Sequence, residues 1–473
     1  MKTVEGERER NIPVHDRIFP TLFGAFLGLT LLKFGNPPIM EEFVTSPSNG
    51  WEVVINSPWP IHWGYIALGV VTVSGLLVAG WNSRAPGWLV AMPALWLFWE
   101  CLASAHTVAE QLTNPTLKHF AACVLCFYLG LLALSRAQNL TGFWVGIACG
   151  FLLVVAFGWQ QHFGGLEQTR QYFFTYIYPQ AKQVSTDYLK KISSNRIFST
   201  LFYPNALAGA LLLFLPGVLW VIWQARARFT LSARRFLVIC TALGALACLF
   251  WSGSKGGWLL MLLLGLVALL RFPLSNGAKP LIIICVLVLG LGCFFVKYRG
   301  FFQKGATSVS ARFDYWKAAL LTAKDHPVFG TGPGTFAVPY AKIKSEQSEM
   351  TRLVHNDYLE QASDSGWPGF MAYTLFQIGV LIYSGRRLLR PAAEPVSRML
   401  PAESSVSTLP KATPTEESSA RPISQLFAVW LGLLGWELQS LFEFSLYIPA
   451  LAWPAFAFAG LLLGKLPKPI DKQ

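Results

Sequence analysis

Long apolar runs fill most of the chain, and short polar segments separate them. A helix needs about 20 mostly apolar residues to cross the hydrocarbon core of a bilayer. The runs therefore predict an all-α integral membrane protein. About twelve transmembrane helices are expected, at roughly residues 18–35, 60–80, 86–104, 117–135, 140–158, 200–223, 235–251, 256–271, 280–297, 366–385, 423–440 and 446–464.

The two longest loops divide this pattern into three parts. Residues 1–297 form a first bundle of about nine spans, residues 298–365 a long loop between spans nine and ten, and residues 366–473 the last spans. A second long loop lies inside the first bundle, at about 159–199. The 298–365 loop is rich in aromatic residues and contains an amphipathic stretch at Ser310–Ala323. It is therefore expected to be partly helical and to pack on the membrane face.

Composition agrees with a membrane protein. Only 13% of the residues are charged, against roughly 25% in soluble domains. The net charge of +13 would suggest a nucleic-acid partner in a soluble protein, but cytoplasmic loops of membrane proteins collect Lys and Arg. All eight cysteines fall inside apolar runs, so the loops offer neither a disulfide framework nor a zinc site.

The distribution of basic residues predicts the orientation. With the N-terminus in the cytoplasm, the inside segments carry 21 of the 38 Lys and Arg residues and the short outside loops carry three. This fits the positive-inside rule and places both termini inside and both long basic loops outside. The inside segment 390–422 is rich in Pro, Ser, Glu and Thr, and is expected to be a disordered cytoplasmic linker. No small-residue cleavage site follows the first apolar run, which predicts an uncleaved first span.

Polar residues within the spans gather near one face. Glu100, Asn205, Lys255 and Glu437 all lie near the outer ends of predicted spans. Polar groups inside a membrane are costly and usually functional. A transporter would instead be expected to hold ionisable groups near the midplane. The pattern therefore predicts a site at the outer interface.

A first motif precedes the sixth span. Arg196 comes shortly before the sequence FYPNALA, which contains Tyr203, Pro204 and Asn205. Arginine suits an anionic ligand. In the simpler interpretation, Arg196 reaches a lipid phosphate and Pro204 only shapes the start of the helix.

A second motif lies in the long loop. Arg312 stands in RFDYW, and the sequence GTGPG, with Gly332 and Gly334, follows. The guanidinium is a planar fork that matches phosphate oxygens. GTGPG lacks the spacing of a dinucleotide fingerprint, but its backbone N–H groups could face an anion. Alternatively, Arg312 pairs with Asp314 or another acid, and the glycines only turn the chain.

A third motif, HNDYLEQ, begins at His355 and includes Tyr358. It does not match HExxH, so a zinc protease is disfavoured. Histidine titrates near neutral pH and can act as a general base. In the simpler interpretation, His355 is a solvated or capping residue.

Taken in order, these motifs resemble those of a known family. The series FYPNALA, SGSKGGWL, RFDYW, HPVFGTGPGTF, HNDYLEQASDSGWPG and FEFSLYIPA is similar to the O-antigen ligase family of membrane glycosyltransferases and its polysaccharide-polymerase relatives. The strongest motifs cover about residues 310–370, and the topology matches over nearly the whole chain.

The resemblance implies transfer of a glycan from undecaprenyl diphosphate to an acceptor hydroxyl at the periplasmic face of the bacterial inner membrane. The transfer would invert the anomeric centre and need no metal or cofactor. Arg196, Arg312 and His355 match the functional arginines and histidine of the family. The residues expected to bind substrate are Tyr203, Asn205, Lys255, Gly332, Gly334 and Tyr358.

The chemistry of the residues agrees with this expectation. Fixed guanidinium groups stabilise the charge that develops on a diphosphate leaving group. His355 would take the proton of the acceptor hydroxyl, and grooves between helices would hold the polyprenyl chain among the membrane lipids. No carboxylate or His/Cys cluster in the loops suggests a cation site.

Several alternatives remain open in the sequence. The acceptor could be lipid A core, the end of a glycan chain as in a polymerase, or a protein hydroxyl. A non-enzymatic glycolipid or polysaccharide transporter is a second hypothesis. A third is an assembly protein whose basic loops bind anionic lipid or another membrane subunit. A nucleic-acid partner is not expected.

Overall fold

The computed structural model describes residues 15–55, 58–80, 85–180, 189, 192–201, 203–271, 277–303, 307–346, 348–389 and 416–466. Over these residues the chain forms helices and connecting turns, with no strand. The all-α membrane class predicted from the apolar runs is therefore confirmed.

Sixteen α-helices are described. Up to residue 180 they are α1 (His15–Lys33), α2 (Gly50–Ile55), α3 (Ile61–Leu76), α4 (Gly87–Ser104), α5 (Glu110–Tyr128), α6 (Thr141–Gln160) and α7 (Leu166–Tyr172). They continue with α8 (Pro204–Gln224), α9 (Leu231–Ser252), α10 (Lys255–Arg271), α11 (Ala278–Gln303), α12 (Thr307–Asp325), α13 (Ala337–Ile343), α14 (Asp357–Leu388), α15 (Glu416–Ser440) and α16 (Pro449–Lys465).

Each predicted span overlaps one of these helices. In the part of the chain that the structure describes, six helical stretches are long and apolar enough to cross a membrane: Gly87–Ser104, Glu110–Arg136, Thr141–Thr175, Pro204–Gln224, Leu231–Ser252 and Ala278–Gln303. Two apolar helices, α3 and α16, are shorter. Twelve crossings, the outside position of the long loop and the orientation stay predictions.

Helix α16 is the centre of the bundle. Every residue from Pro449 to Leu463 is buried. Its sequence is apolar on all sides and rich in alanine, which is the composition of a helix surrounded by other helices. Neighbours approach it closely, because a Cβ on Gly460 would overlap the carbonyl group of Phe127 in α5.

Glycines allow α1 and α6 to pack in direct backbone contact. Gly24 and Gly28 of α1 lie against Phe143, Gly146 and Gly150 of α6, and an added Cβ at these positions would meet backbone atoms of the partner helix. Small residues spaced by four line one face of a helix and let two membrane helices approach. This contact fixes α1 to the bundle.

Helix α11 lies at the edge of the bundle. Only Phe294 and Tyr298 are buried among its 26 residues. Many of the other apolar side chains are exposed, including Leu281, Val288 and Val296, as expected for a helix that faces lipid tails. Helix α12 follows it and begins the segment that carries Arg312.

Residues 307–365 form a small packed unit rather than an open loop. Tyr315, Ala318 and Ala319 of α12 pack with Phe336, Tyr340 and Val354. The amphipathic stretch predicted at Ser310–Ala323 lies within α12. Gly366 interrupts α14 at φ 69°, so the kink separates this unit from the predicted span at 366–385.

Parts of several predicted segments lie outside the described residues, including residues 304–306 and 347 of the long 298–365 loop. The N-terminal polar segment is described only from His15 onward, and the 159–199 loop lacks residues 181–188 and 190–191. The predicted linker 390–422 is outside the description up to residue 415, and α15 begins at Glu416.

We predict that Gly146→Leu weakens the bundle. The new side chain would meet Gly24 and Ala25 backbone atoms, which can move only if α1 separates from α6. Overpacking of this kind typically costs about 1–3 kcal/mol. Gly69→Leu in α3 is the matched control, because no atom lies within 4 Å of its Cβ position. Thermal unfolding in detergent measures both variants, and equal melting temperatures would contradict the packing argument.

Candidate active site

A buried carboxylate lies where distant parts of the chain meet. Glu443 belongs to the turn between α15 and α16, residues 441–448, which we call the Glu443 turn. The residue is 2% exposed. Four side chains contact its carboxylate, from Tyr203, Asn205, Arg312 and His355. Residues from three separate sequence motifs therefore converge on one acid.

The two carboxylate oxygens have different partners. Oε1 accepts hydrogen bonds from Arg312 and, at 2.5 Å, from Nδ2 of Asn205. Oε2 accepts the hydroxyl of Tyr203 and lies 3.2 Å from Nδ1 of His355. Burial alone would raise the pKa of Glu443, but Arg312 and His355 outweigh it and hold this pKa below its ordinary value. The acid is therefore an ionised hydrogen-bond acceptor.

This arrangement fixes which nitrogen of His355 can act as a base. A carboxylate only accepts hydrogen bonds, so Nδ1 of His355 donates to Glu443. In the neutral ring, Nε2 then carries the free lone pair. The imidazole is 23% exposed and can meet a ligand.

The backbone of His355 adopts a left-handed conformation with φ 55°. For a residue other than glycine this costs about 1–3 kcal/mol and needs support from the surroundings. On one side, Val354 N–H donates to Glu360 at 3.1 Å; on the other, Asn356 caps α14 by accepting from Leu359 N–H at 3.0 Å. The HNDYLE motif thus orients the ring of its own histidine.

Arg196 is linked to the Glu443 carboxylate through one intervening side chain, that of Asn205. Its guanidinium donates to the Asn205 side-chain oxygen at 2.8 Å, and its Nε donates to the Ser252 carbonyl at 2.7 Å. The same Asn205 amide donates to Glu443. Asn205 therefore bridges Arg196 to the acid without a direct ion pair between them.

Lys255 adds a third positive charge at this end of the bundle. It is the first residue of α10, and its ammonium group lies 4.0 Å from the ring centre of Phe301 and 5.3 Å from that of Tyr298. It is close enough to Arg196 and Arg312 to be repelled by both. Arg196, Lys255 and Arg312 thus lie around one ionised carboxylate, and together they carry more positive charge than it balances. We call these three residues, Glu443 and its contacts Tyr203, Asn205 and His355 the Glu443 cluster.

The GTGPG turn is in the interior, where its N–H groups already have an acceptor in Asp364. Gly332 N–H donates to the Asp364 carbonyl at 2.8 Å, and Gly334 N–H donates to the Asp364 carboxylate at 2.6 Å. Both glycines have positive φ, and added Cβ atoms would overlap Thr107 and Thr116. The structure therefore places Gly332 and Gly334 against Asp364 and these threonines rather than in the Glu443 cluster.

Three further predicted residues, Tyr358, Glu437 and Glu100, belong to a second buried polar layer. The Tyr358 hydroxyl donates to Glu437 at 2.7 Å inside the bundle. Glu100 is fully buried close to Asp364 and Ser365. Of the four polar residues predicted near one face, Asn205 and Lys255 belong to the Glu443 cluster, while Glu100 and Glu437 lie in this second layer.

Sequence reasoning missed Glu443. The motif FEFSLYIPA was recognised as a unit, but its acid was not singled out. Its signal was present, since a charged residue stood between two apolar runs at the predicted outer face. The structure also identifies the partner of Arg312 as Glu443, while Asp314 accepts from Ser348 at 3.0 Å.

The described residues include no group of three or more His, Cys, Asp or Glu side chains placed to hold a metal ion. The ligand-binding potential of the site instead comes from guanidinium and ammonium groups. Such groups recognise phosphate oxygens through charge-assisted hydrogen bonds.

A comparison with known proteins finds a family match in the second half of the chain. Residues 240–374 match the family model described as O-Antigen ligase. This segment is similar to the O-antigen ligase family, and by that similarity we call it the O-antigen ligase domain. It contains Lys255, Arg312 and His355, and the resemblance predicted from the motifs is confirmed. A protein of Haemophilus influenzae described only as uncharacterized is 30% identical over 155 residues, which cover 28% of this chain and 39% of that relative.

The O-antigen ligase domain holds only part of the cluster. Arg196, Tyr203 and Asn205 precede the matched segment, and Glu443 follows it. The fold brings these residues to Arg312 and His355 of the domain. The candidate site is therefore built from the domain and from helices on both sides of it.

We predict that Glu443→Gln destabilises the protein at neutral pH. The change leaves Arg312 without its anionic partner, which should cost about 1–3 kcal/mol. Because the pKa of Glu443 is lowered on folding, the stability it contributes is present above the ordinary value of 4.5 and is lost as pH falls through the lower folded value.

Melting temperature as a function of pH measures this effect. Below pH 4.5 the gap between wild type and Glu443→Gln should narrow. Glu42→Gln is the control, because Glu42 makes an exposed ion pair with Arg352 and should change stability little. A Glu443→Gln protein as stable as wild type at pH 7 would rule out this role of the carboxylate.

Proposed function

We propose that this protein is a membrane glycosyltransferase that moves a glycan from undecaprenyl diphosphate to an acceptor hydroxyl at the periplasmic face. The observation that carries the proposal is the Glu443 cluster, in which His355 and two arginines gather beside and within an O-antigen ligase domain. The transfer inverts the anomeric centre and uses neither metal nor cofactor. The cluster end of the bundle is then the periplasmic end.

Arg196, Lys255 and Arg312 are suited to the leaving group. As the bond between the anomeric carbon and the phosphate oxygen breaks, negative charge grows on the diphosphate. Asn205 holds Arg196, Glu443 holds Arg312, and the rings of Phe301 and Tyr298 lie against Lys255, so little reorganisation is needed when that charge develops. A diphosphate that is stabilised in this way leaves without a carboxylic acid to protonate it.

His355 is suited to the acceptor. Its Nε2 accepts the proton of the hydroxyl while the acceptor oxygen attacks the anomeric carbon on the face opposite the diphosphate. Glu443 holds the ring through Nδ1 and stabilises the imidazolium that forms. A carboxylate that orients a histidine base serves the same purpose in hydrolase triads. The new glycosidic bond and free undecaprenyl diphosphate are the products.

Helix α11 is suited to guide the lipid. Most of its apolar side chains are exposed. At its C-terminal end, Tyr298 and Phe301 lie against Lys255. A polyprenyl chain that follows this helix would bring its diphosphate to the Glu443 cluster.

Transfer to three acceptor classes tests the proposal. The purified protein is incubated with one undecaprenyl-diphosphate glycan and, in parallel, lipid A core, a glycan chain end and a protein acceptor. A product with lipid A core indicates a ligase, and lengthening of the glycan indicates a polymerase. Translocation of the glycolipid in vesicles without any transfer would instead identify a transporter.

We predict that His355→Ala abolishes transfer without affecting membrane insertion. Loss of a general base typically lowers the rate about 10²- to 10⁴-fold. His326→Ala is the control, since His326 is an exposed histidine in the same segment. Turnover with purified variants is the measurement, and an active His355→Ala protein would remove this residue from the mechanism.

We predict that Arg312→Lys also impairs transfer, although the charge is kept. Lysine is a point charge and cannot contact Glu443 and a phosphate oxygen with a planar fork. Losing one charge-assisted hydrogen bond should lower the rate roughly 10- to 100-fold. Arg352→Lys, at an exposed ion pair, should retain wild-type turnover. Near-normal turnover of Arg312→Lys would argue against a guanidinium that contacts Glu443 and a phosphate oxygen at once.

A further inference from the structure

Three consecutive residues of the HND sequence all contact the Glu443 turn. His355 meets Glu443 itself at 3.2 Å. Asn356 donates from Nδ2 to the Leu441 carbonyl at 2.9 Å, and Asp357 accepts from Leu446 N–H at 2.9 Å. The residues at the start of α14 therefore hold this turn through hydrogen bonds on both sides of Glu443.

We propose that Asn356 and Asp357 are positioning residues that hold Glu443 against His355. They touch neither the donor nor the acceptor and act through the geometry of that pair. The proposal rests on the proposed function, in which His355 is the base.

The turn is held firmly near its second contact. Asp357 is fully buried, and Leu446 is fixed at both its backbone groups, because His119 lies 2.7 Å from the Leu446 carbonyl through Nε2. Trp453 donates to Nδ1 of His119, so Nε2 of the neutral His119 ring is the donor to that carbonyl. Residue 446 therefore has little freedom to shift, and Glu443 lies three residues before it.

Asn356 couples the turn to the helix. Its side-chain oxygen caps α14 by accepting from Leu359 N–H, while its side-chain nitrogen reaches the turn. The residue that fixes the end of α14 therefore also fixes the distance from that end to the turn. His355, directly before it, is kept in its left-handed conformation between these contacts.

The chemistry at Asp357 allows a sharp test. Burial raises the pKa of Asp357 well above its ordinary value, which favours the neutral form of the side chain. Asparagine matches a neutral aspartic acid in shape and keeps the oxygen that accepts from Leu446. Leucine has a similar size but no acceptor. Asp357→Asn should therefore keep the hydrogen bond from Leu446 N–H, and Asp357→Leu should lose it.

The first measurement is transfer by the full-length protein. Asp357→Leu should be slower by about 10- to 100-fold, since a small misplacement of a catalytic group has effects of this order. Asn356→Ser, which retains a capping oxygen but is too short to reach Leu441, should also be slower. Asp357→Asn should stay close to wild type. Gln377→Leu, a buried polar-to-leucine change farther along α14, is the matched control.

The pH dependence separates positioning from a general loss of structure. Arg312 and His355 hold the pKa of Glu443 low, so a turn that moves away from them raises this pKa. Asp357→Leu should then lose activity on the acid side at a higher pH than wild type. A merely structural defect, as measured with Gln377→Leu, would lower the rate by the same factor at every pH.

Hydrogen exchange measures how firmly Asp357 holds the Glu443 turn, independently of catalysis. The Leu446 amide, which donates to Asp357, should exchange slowly in wild type and in Asp357→Asn, and faster in Asp357→Leu. If Asp357→Leu matches wild type in rate, pH profile and exchange while His355→Ala is inactive, the positioning proposal is overturned. An active His355→Ala protein would overturn the proposed function instead, and faster exchange in Asp357→Leu would then still show that Asp357 holds the turn.

Discussion

The ionised carboxylate of Glu443, 2% exposed, is the constraint on which the site depends. A buried charge is tolerated only when opposite charges and hydrogen bonds replace the water it has lost. Arg312, His355, Asn205 and Tyr203 provide that replacement, and they lie between 88 and 240 positions away from Glu443 along the chain. The need to satisfy one acid therefore brings together α8, α12, the start of α14 and the Glu443 turn. The same requirement orients the histidine ring and leaves Nε2 for chemistry.

The fold supplies rigidity where the chemistry needs it. Helix α16 is buried along its length, and the Glu443 turn leads directly into it. On the other side of the site, Asn356 caps the start of α14. The interruption at Gly366 separates the first turns of α14 from the rest of the helix, so these turns pack with the segment that carries Arg312. Irregular backbone is tolerated here because its polar groups have partners, such as Gly332 and Gly334 with Asp364. The strained backbone of His355 is therefore held between two ordered elements.

Local patterns in the sequence predicted what depends on local physics. Every apolar run became a helix, because helices satisfy their backbone hydrogen bonds within the segment. Arg312 and His355 were identified from their motifs, and the structure brings them together. Glu443 was not identified, since its importance comes from partners up to 240 positions away. The GTGPG turn was expected to face an anion, but its sequence does not reveal that Asp364 already occupies those N–H groups.

This internal use of the GTGPG turn bears on what the site can recognise. With those backbone donors committed to Asp364, phosphate recognition at the cluster depends on Arg196, Lys255 and Arg312. Guanidinium and ammonium groups read charge and the positions of phosphate oxygens, and they carry no information about a sugar. One cluster of this kind suits any glycan carried on a lipid diphosphate. Selection of glycan and acceptor must then arise from surfaces outside the cluster, so a ligase and a polymerase can share the same catalytic arrangement.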